Sequence, residues 1–362
     1  MSLYLFFLIV LLLSSIYEIF GQKQSHKLYL FLWFIMTLMC TLRYGQGTDY
    51  FNYQLIYNYF DGKIVDLWGI YRDPFFSLLF TLFQHYKIDF VYVMAFVGLL
   101  STGLLGYAIK RDSKYPIFSL FIVYALFHLT YHYSAIREGL AISFFLVFMY
   151  PLLKINKFSA KYFVYAIIAY CMHGSALITL LFPFLQKIYS KRFFGVFLLS
   201  CITLSFIVWK LPFLSYAILK DRTDSYIEEN TFNIYAVASR LFVLIPLVFV
   251  RLKDDDSMRN VINNFVSFIF IYLIFVSNST LSARLSIYLQ ILVIYVWPYT
   301  VAKLDLNRAK IFFVMIAFLV FMYAKCINSY IITGDYKNGI DVINYPYCSI
   351  FDRNEINKYR YI

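Results

Sequence analysis

Long apolar runs recur from one end of the chain to the other, and each is closed by a short stretch carrying Lys or Arg. A helix needs about 20 apolar residues to cross a hydrocarbon core of ~30 Å. Runs of that order lie at Leu3 to Phe20, Leu28 to Leu42, Phe90 to Ile109, Tyr115 to Thr130, Ile136 to Leu153 and Tyr162 to Ile188. Others lie at Phe193 to Trp209, Ile234 to Val250, Val261 to Val276, Leu285 to Ala302 and Ile311 to Ile327. The pattern predicts an all-α, polytopic transmembrane bundle of about 11–12 crossings, with one integral membrane domain over residues 1–362. Pro74 to Tyr86 is apolar but too short to cross, so it is expected to be re-entrant or interfacial. No Lys or Arg precedes the first run and no small-residue cleavage site follows it, so it is expected to stay as the first helix.

Short loops rich in Lys and Arg remain cytoplasmic, which orients the bundle. The rich loops are Lys23/Lys27, Lys110/Arg111/Lys114, Lys154/Lys157/Lys161, Lys187/Lys191/Arg192, Arg251/Lys253/Arg259 and Lys303/Arg308/Lys310. All six fall on one side only if Tyr162 to Ile188 breaks near His173-Gly174-Ser175 and turns back. The resulting half-passes need shelter from lipid by neighbouring helices or a water-filled cavity. A layout in which Pro74 to Tyr86 also crosses would export two of the basic loops. The outer face then receives the loop 43–89, the turns near 130–135, 173 and 277–283, the loop 210–233 and the tail 328–362. Arg43, Arg137, Arg240 and Arg284 all stand at or near outer ends of apolar runs.

Composition agrees with a membrane chain: 62% of residues are hydrophobic, 22% aromatic and 14% charged, with a mean hydropathy of +0.68. The net charge of +12 is what topology signals and anionic lipid require, not the footprint of a nucleic-acid-binding domain. Five cysteines, Cys40, Cys171, Cys201, Cys326 and Cys348, lack metal-ligand spacing and read as packing residues. No phosphate-binding loop, dinucleotide fingerprint or zinc-protease motif is present, so no cofactor is expected. Asp254-Asp255-Asp256 sits among Arg251, Lys253 and Arg259 and reads as a self-neutralised loop.

The candidate chemistry lies on the outer loops. Arg43-Tyr-Gly-Gln-Gly-Thr-Asp49-Tyr50-Phe-Asn-Tyr53 pairs a glycine turn with a carboxylate and aromatic rings suited to sugar faces. Arg72-Asp73-Pro74 closes the same loop. Arg137 and Glu138 enter a helix after His132, and ionisable residues at such a depth are expected to be functional. His173 sits at the proposed break. Tyr288 lies four residues beyond Arg284 and shares its helix face. Converging guanidinium groups bind phosphate oxygens bidentately and tolerate low-dielectric sites, so Arg43, Arg137, Arg240 and Arg284 point to a pyrophosphate.

In this order, the segments Arg43...Gly-Thr-Asp49-Tyr50..Tyr53, Asp73-Pro74-Phe-Phe, Ile136-Arg137-Glu-Gly-Leu-Ala, Cys171-Met-His173-Gly-Ser-Ala-Leu and Ser282-Ala-Arg284-Leu-Ser-Ile-Tyr288 resemble the EpsG-like, Wzy-type bacterial polysaccharide polymerases. Asp73-Pro74 stands where that family often has Glu-Pro, and Glu138 where it often has Gln. The resemblance implies a bundle akin to membrane-embedded GT-C-like glycosyltransferases, in the bacterial inner membrane with its active site facing the periplasm. It implies polymerisation of lipid-linked repeat units carried on undecaprenyl diphosphate, in O-antigen, capsule or exopolysaccharide synthesis, beside a chain-length regulator and a flippase. Such a reaction needs cations for the leaving diphosphate, the role expected of Arg137, Arg240, Arg284 and Arg43. It also needs an acceptor for the attacking hydroxyl's proton, which Asp49 or His173 supplies. Tyr50, Tyr53, Arg72, Asp73, Glu138 and Tyr288 are expected to contact substrate. A lipid-linked oligosaccharide flippase or sugar transporter, an O-antigen ligase and a membrane O-acyltransferase stay open as alternatives. A flippase or transporter of this size is expected to show internal repeats, which are not found.

Overall fold

The computed structural model describes residues 3–21, 25–59, 73–183, 234–249, 256–276, 279–304, 308–333 and 347–354. The expected run Phe193 to Trp209 with Cys201, the basic loop Lys187/Lys191/Arg192, the loop 210–233, Asp254 and Asp255 of the acidic triplet with Arg251 and Lys253, and Arg72 lie outside them.

Among the described residues the protein is a helical bundle without strands. The helices are α1 (Leu3–Phe20), α2 (His26–Thr41), α3 (Tyr50–Tyr59), α4 (Pro74–His85), α5 (Phe90–Asp112) and α6 (Pro116–Val123). Then come α7 (Ile136–Phe144), α8 (Tyr150–Lys154), α9 (Ala160–Met172), α10 (Ile234–Phe242), α11 (Asp256–Ile274), α12 (Ser279–Gln290), α13 (Val293–Lys303) and α14 (Arg308–Thr333). Leu3–Phe20, Phe90–Asp112, Pro116–Ser134, Ile136–Lys154 and Ala309–Ile327 are each long and apolar enough to cross a membrane. Leu281–Gln290 and Val293–Lys303, bent by 44° at the break between them, are together long and apolar enough for a broken span or a re-entrant loop. Twelve residues give α4 a length of about 18 Å, short of the ~30 Å core. It packs instead on α5 and α9 and buries Phe76, Leu79 and Phe80.

Contacts sort the helix ends into two sets. At one end the Tyr4 hydroxyl bonds Gln46, Thr48 N–H donates to Ser134, and the Tyr57 hydroxyl reaches the Ile88 carbonyl. At the other, Glu18 accepts from the N–H groups of Ile117 and Phe118, which caps α6 where Pro116 has removed a donor. Arg111 there bonds the carbonyls of Leu146 and Val147, and Asn260 bonds that of Lys154. The loops 110–114 and 154–161 thus share the end opposite the one that holds Arg43 and Arg137.

Lipid supplies no hydrophobic drive between helices, so close backbone approach and polar contacts hold them. On α5, Gly106 admits Trp33 of α2 so closely that a Cβ would lie 2.1 Å from its Nε1. Trp33 then donates to the Thr102 carbonyl at 2.9 Å, and the Tyr29 hydroxyl to that of Gly106 at 2.6 Å. Beyond α6 the chain continues as a π-helix over Tyr124–Ser134, closed by an i to i+5 bond from Ala135 N–H to the Thr130 carbonyl. Such segments cost helix geometry and gather at functional sites. This one lines the site described next.

Candidate active site

The site forms where three interruptions of helix meet. The first is the turn after α2. Gly45 and Gly47 take φ of 67° and 112°, which only glycine adopts easily, and a Cβ on Gly47 would lie 2.1 Å from the Tyr133 carbonyl oxygen. The turn starts α3 so that Asp49 precedes it and Tyr53 follows one turn on.

The second is the start of α4. Asp73 holds its N-cap position, yet its side chain makes no capping bond. Its Oδ2 faces Arg137 Nη1 at 2.5 Å, and its Oδ1 accepts the Gly174 N–H at 3.1 Å. Both oxygens therefore tie distant elements together, at a side chain only 1% exposed. Arg137 also donates through Nε to the Tyr53 hydroxyl at 3.3 Å and lies over that ring, 5.4 Å from its centroid.

The third is the break after α9, found at the His173-Gly174-Ser175 position expected from the loop charges. His173 is extended, with φ of −158° and ψ of 132°, and a 3-10 turn over Gly174–Leu181 follows. Ser175 is its centre. The hydroxyl lies 2.7 Å from His173 Nδ1, donates to Glu138 Oε1 at 2.9 Å, and sits 3.2 Å from the Tyr288 hydroxyl. Glu138 is 1% exposed and Tyr288 fully buried. A single hydroxyl, donating to Glu138, thus touches His173, Glu138 and Tyr288 together.

Arg284 is partly buried on α12, and its charge acts on Asp49, Tyr53 and Glu138. Burial raises the pKa of Asp49 above the usual carboxylate range, against the opposing charges of Arg284 and then Arg137. Arg240 stacks over Tyr272, 5.4 Å from the ring centroid, and lines an adjoining cleft of about 400 Å³ with Thr48, Thr130, Tyr131, Gln290 and Lys325.

Tyr53, Asp73, Arg137, Glu138, His173 and Tyr288 are therefore joined by direct contacts, with Asp49 and Arg284 in electrostatic range and Arg240 beside them. Two of the expected residues sit apart. Tyr50 packs edge-on against Tyr44, Phe51 and Phe90. Arg43, 1% exposed, gives its donors to the carbonyls of Cys40, Gln46 and Tyr133 and lies over the Tyr133 ring at 4.8 Å. Ser175, Thr48 and Lys325 were not singled out in the sequence. Ser175 stands two residues from His173 in a motif already noted, which was the available signal. For Lys325 the available signal was its place within the apolar run Ile311 to Ile327, where an ionisable residue is costly.

Chemically, the site sets three carboxylates, a histidine and guanidinium groups at one end of the bundle, the arrangement a proton acceptor and a developing anion both require. No curated protein and no solved structure matches the chain. The model of the EpsG family matches residues 26–346. The chain, apolar helices and all, belongs to the EpsG family, a family of Wzy-like polysaccharide polymerases.

Proposed function

We propose that the protein joins lipid-linked oligosaccharide repeat units at the outer face of the bacterial cytoplasmic membrane, with undecaprenyl diphosphate as carrier. A hydroxyl of the incoming lipid-linked unit attacks the anomeric carbon of the growing chain. The new carbon–oxygen bond forms as the bond to the diphosphate breaks; the electron pair leaves with the diphosphate and the hydroxyl proton passes to a protein base. The observation that carries this reading is the approach of Asp49, Glu138 and His173 to Arg137 and Arg284 at the end of the bundle opposite the basic loops 110–114 and 154–161. Arg284 and Arg137 offset the charge that develops on the leaving oxygen in a water-poor site. Asp49 takes the proton, Tyr53 steadies the Arg137 guanidinium, and Arg43 holds the loop that carries Asp49.

The direct test is the polysaccharide banding pattern of a deletion strain. Wild type is expected to restore a ladder where the deletion leaves a single repeat unit attached to its acceptor. Loss of even that first unit in the deletion strain would favour the flippase or ligase reading.

The pH dependence tests the base. A protonated Asp49 accepts no proton, so the rate falls as pH drops through its pKa. Because burial raises that pKa, the acid limb is expected above the ordinary carboxylate range near pH ~4. Arg284→Gln removes the largest opposing charge, so its limb is expected at still higher pH. The readout is the pH–rate profile of purified protein with a synthetic lipid-linked repeat unit. A limb in the ordinary range, unmoved by Arg284→Gln, would exclude Asp49 as base.

A further inference from the structure

The cleft beside the catalytic centre differs from it in charge. At the centre every described cation already faces a carboxylate: Arg137 is bonded to Asp73, and Arg284 acts on Asp49 and Glu138. The cleft wall instead holds Arg240 and Lys325, and among the described residues no Asp or Glu lines it. An anion seated at the centre meets carboxylates, whereas an anion in the cleft meets two cations and neutral donors. Arg240 adds a second, independent sign. Its Nε is buried and has no hydrogen-bond partner among the described residues, while Tyr272 supports the guanidinium face. A buried donor without an acceptor is costly unless something supplies one.

The rest of the cleft suits an amphiphile. Leu126, Phe127 and Met322 add apolar lining to the cations, and about 400 Å³ leaves room for a phosphate group with the first carbons of a lipid. Position then selects the substrate. Thr48 and Ala283 line the cleft, and their chain neighbours are Asp49 and Arg284. A phosphate there stands next to the proposed base. In the reaction proposed above, only the donor carries its diphosphate one bond from the reacting carbon. The acceptor's diphosphate is a whole repeat unit away from its attacking hydroxyl.

Resting on the polymerase reading, we infer that this cleft seats the diphosphate and first isoprene unit of the donor lipid, with Arg240 and Lys325 as its phosphate ligands and Arg284 at the rim toward the anomeric carbon. Arg240 and Lys325 hold the diphosphate before and after the bond breaks, so they act on binding more than on turnover.

The test uses the full-length protein in detergent, with farnesyl diphosphate as probe and native mass spectrometry as readout. Wild type is expected to take up one farnesyl diphosphate that excess inorganic pyrophosphate displaces and phosphatidylglycerol does not. Arg240→Gln with Lys325→Gln is expected to weaken uptake by at least roughly tenfold, the loss of about one charge-assisted contact. Lys325 is exposed, so Lys325→Glu tests the same point without threatening the fold, and it is expected to weaken uptake likewise. With purified protein and a synthetic lipid-linked repeat unit, these variants raise the donor concentration needed while the maximal rate changes less. Unchanged uptake in both variants would overturn the assignment, as would displacement by phosphatidylglycerol at the same concentration, which would make the cleft a seat for bulk phospholipid. Either result, with wild type still restoring the ladder, removes the cleft and leaves the polymerase. Failure of wild type to restore a ladder removes the polymerase itself.

Discussion

Arg137→Gln is expected to abolish the polysaccharide ladder, and to keep it abolished when Asp73→Asn is added to recover the fold. The reasoning separates two roles of one guanidinium. Arg137 is the cation for an Asp73 carboxylate only 1% exposed, and removing one partner of such a buried pair costs about 3–5 kcal/mol. The single variant should therefore be poorly populated as well as inactive. Removing both charges relieves most of that penalty, since a neutral Gln–Asn pair leaves no stranded ion. If Arg137 served only to hold Asp73, and through it the Gly174 N–H, activity would come back with stability. If it also offsets charge on the departing diphosphate, the double variant should fold at near wild-type level and remain slower by about 10²–10³-fold, the usual loss of a preorganised donor. The readouts are membrane-inserted protein per cell and the ladder in the same strain. A restored ladder would reassign Arg137 to scaffolding.

Ser175→Ala carries the second large expectation: a fall in maximal rate of about 10²-fold with little change in the donor concentration needed. The Ser175 hydroxyl is the shared contact of His173, Glu138 and Tyr288, so its loss frees the imidazole to turn and leaves a buried carboxylate short of a donor. Ser175 is a positioning residue, acting through His173 and Glu138. Ser175→Thr keeps the hydroxyl at a partly exposed position and is expected to recover most of the rate. Equal losses in the Ala and Thr variants, or a loss that follows protein level, would mean that the turn needs serine for packing alone.

The sequence carried the large-scale design well. Apolar runs mark helices that the structure contains at Leu3–Phe20, Phe90–Asp112 and Ile136–Lys154, because a helix apolar on the faces turned to lipid and to its neighbours leaves a continuous run whatever its partners. The break at His173 was legible from the charges of loops on either side, which depend on parity and not on contacts. Residue roles were harder. Arg43 and Arg137 look alike in the chain, each an arginine at the end of an apolar run. What separates them is the Gly45–Gly47 turn, which brings the Gln46 carbonyl to Arg43, and the arrival of Asp73 from another helix at Arg137. The π-helix at Tyr124–Ser134 leaves no mark on hydrophobic pattern either. Ser175 and Lys325 take their meaning from neighbours on other helices, Glu138 and Tyr288 for the one and Arg240 for the other, which spacing along one chain does not encode.

The Asp49 loop has its own partner far along the chain. Tyr44 N–H donates to the Cys348 carbonyl, Ile350 N–H to that of Leu42, and the Tyr347 hydroxyl to that of Met39. The first two bonds flank Arg43 and Ser349, which face each other as an isolated antiparallel bridge, and Arg353 reaches Asp89 at 2.5 Å. Synthesis delivers residues 42–44 to the membrane about 300 residues before their partners, at roughly 5–20 residues per second. The ribosome thus makes the catalytic loop early, and for tens of seconds it waits unclasped. A nascent chain stopped short of residue 347 would hold every one of the bundle's early helices and still lack the closure that fixes its proposed base.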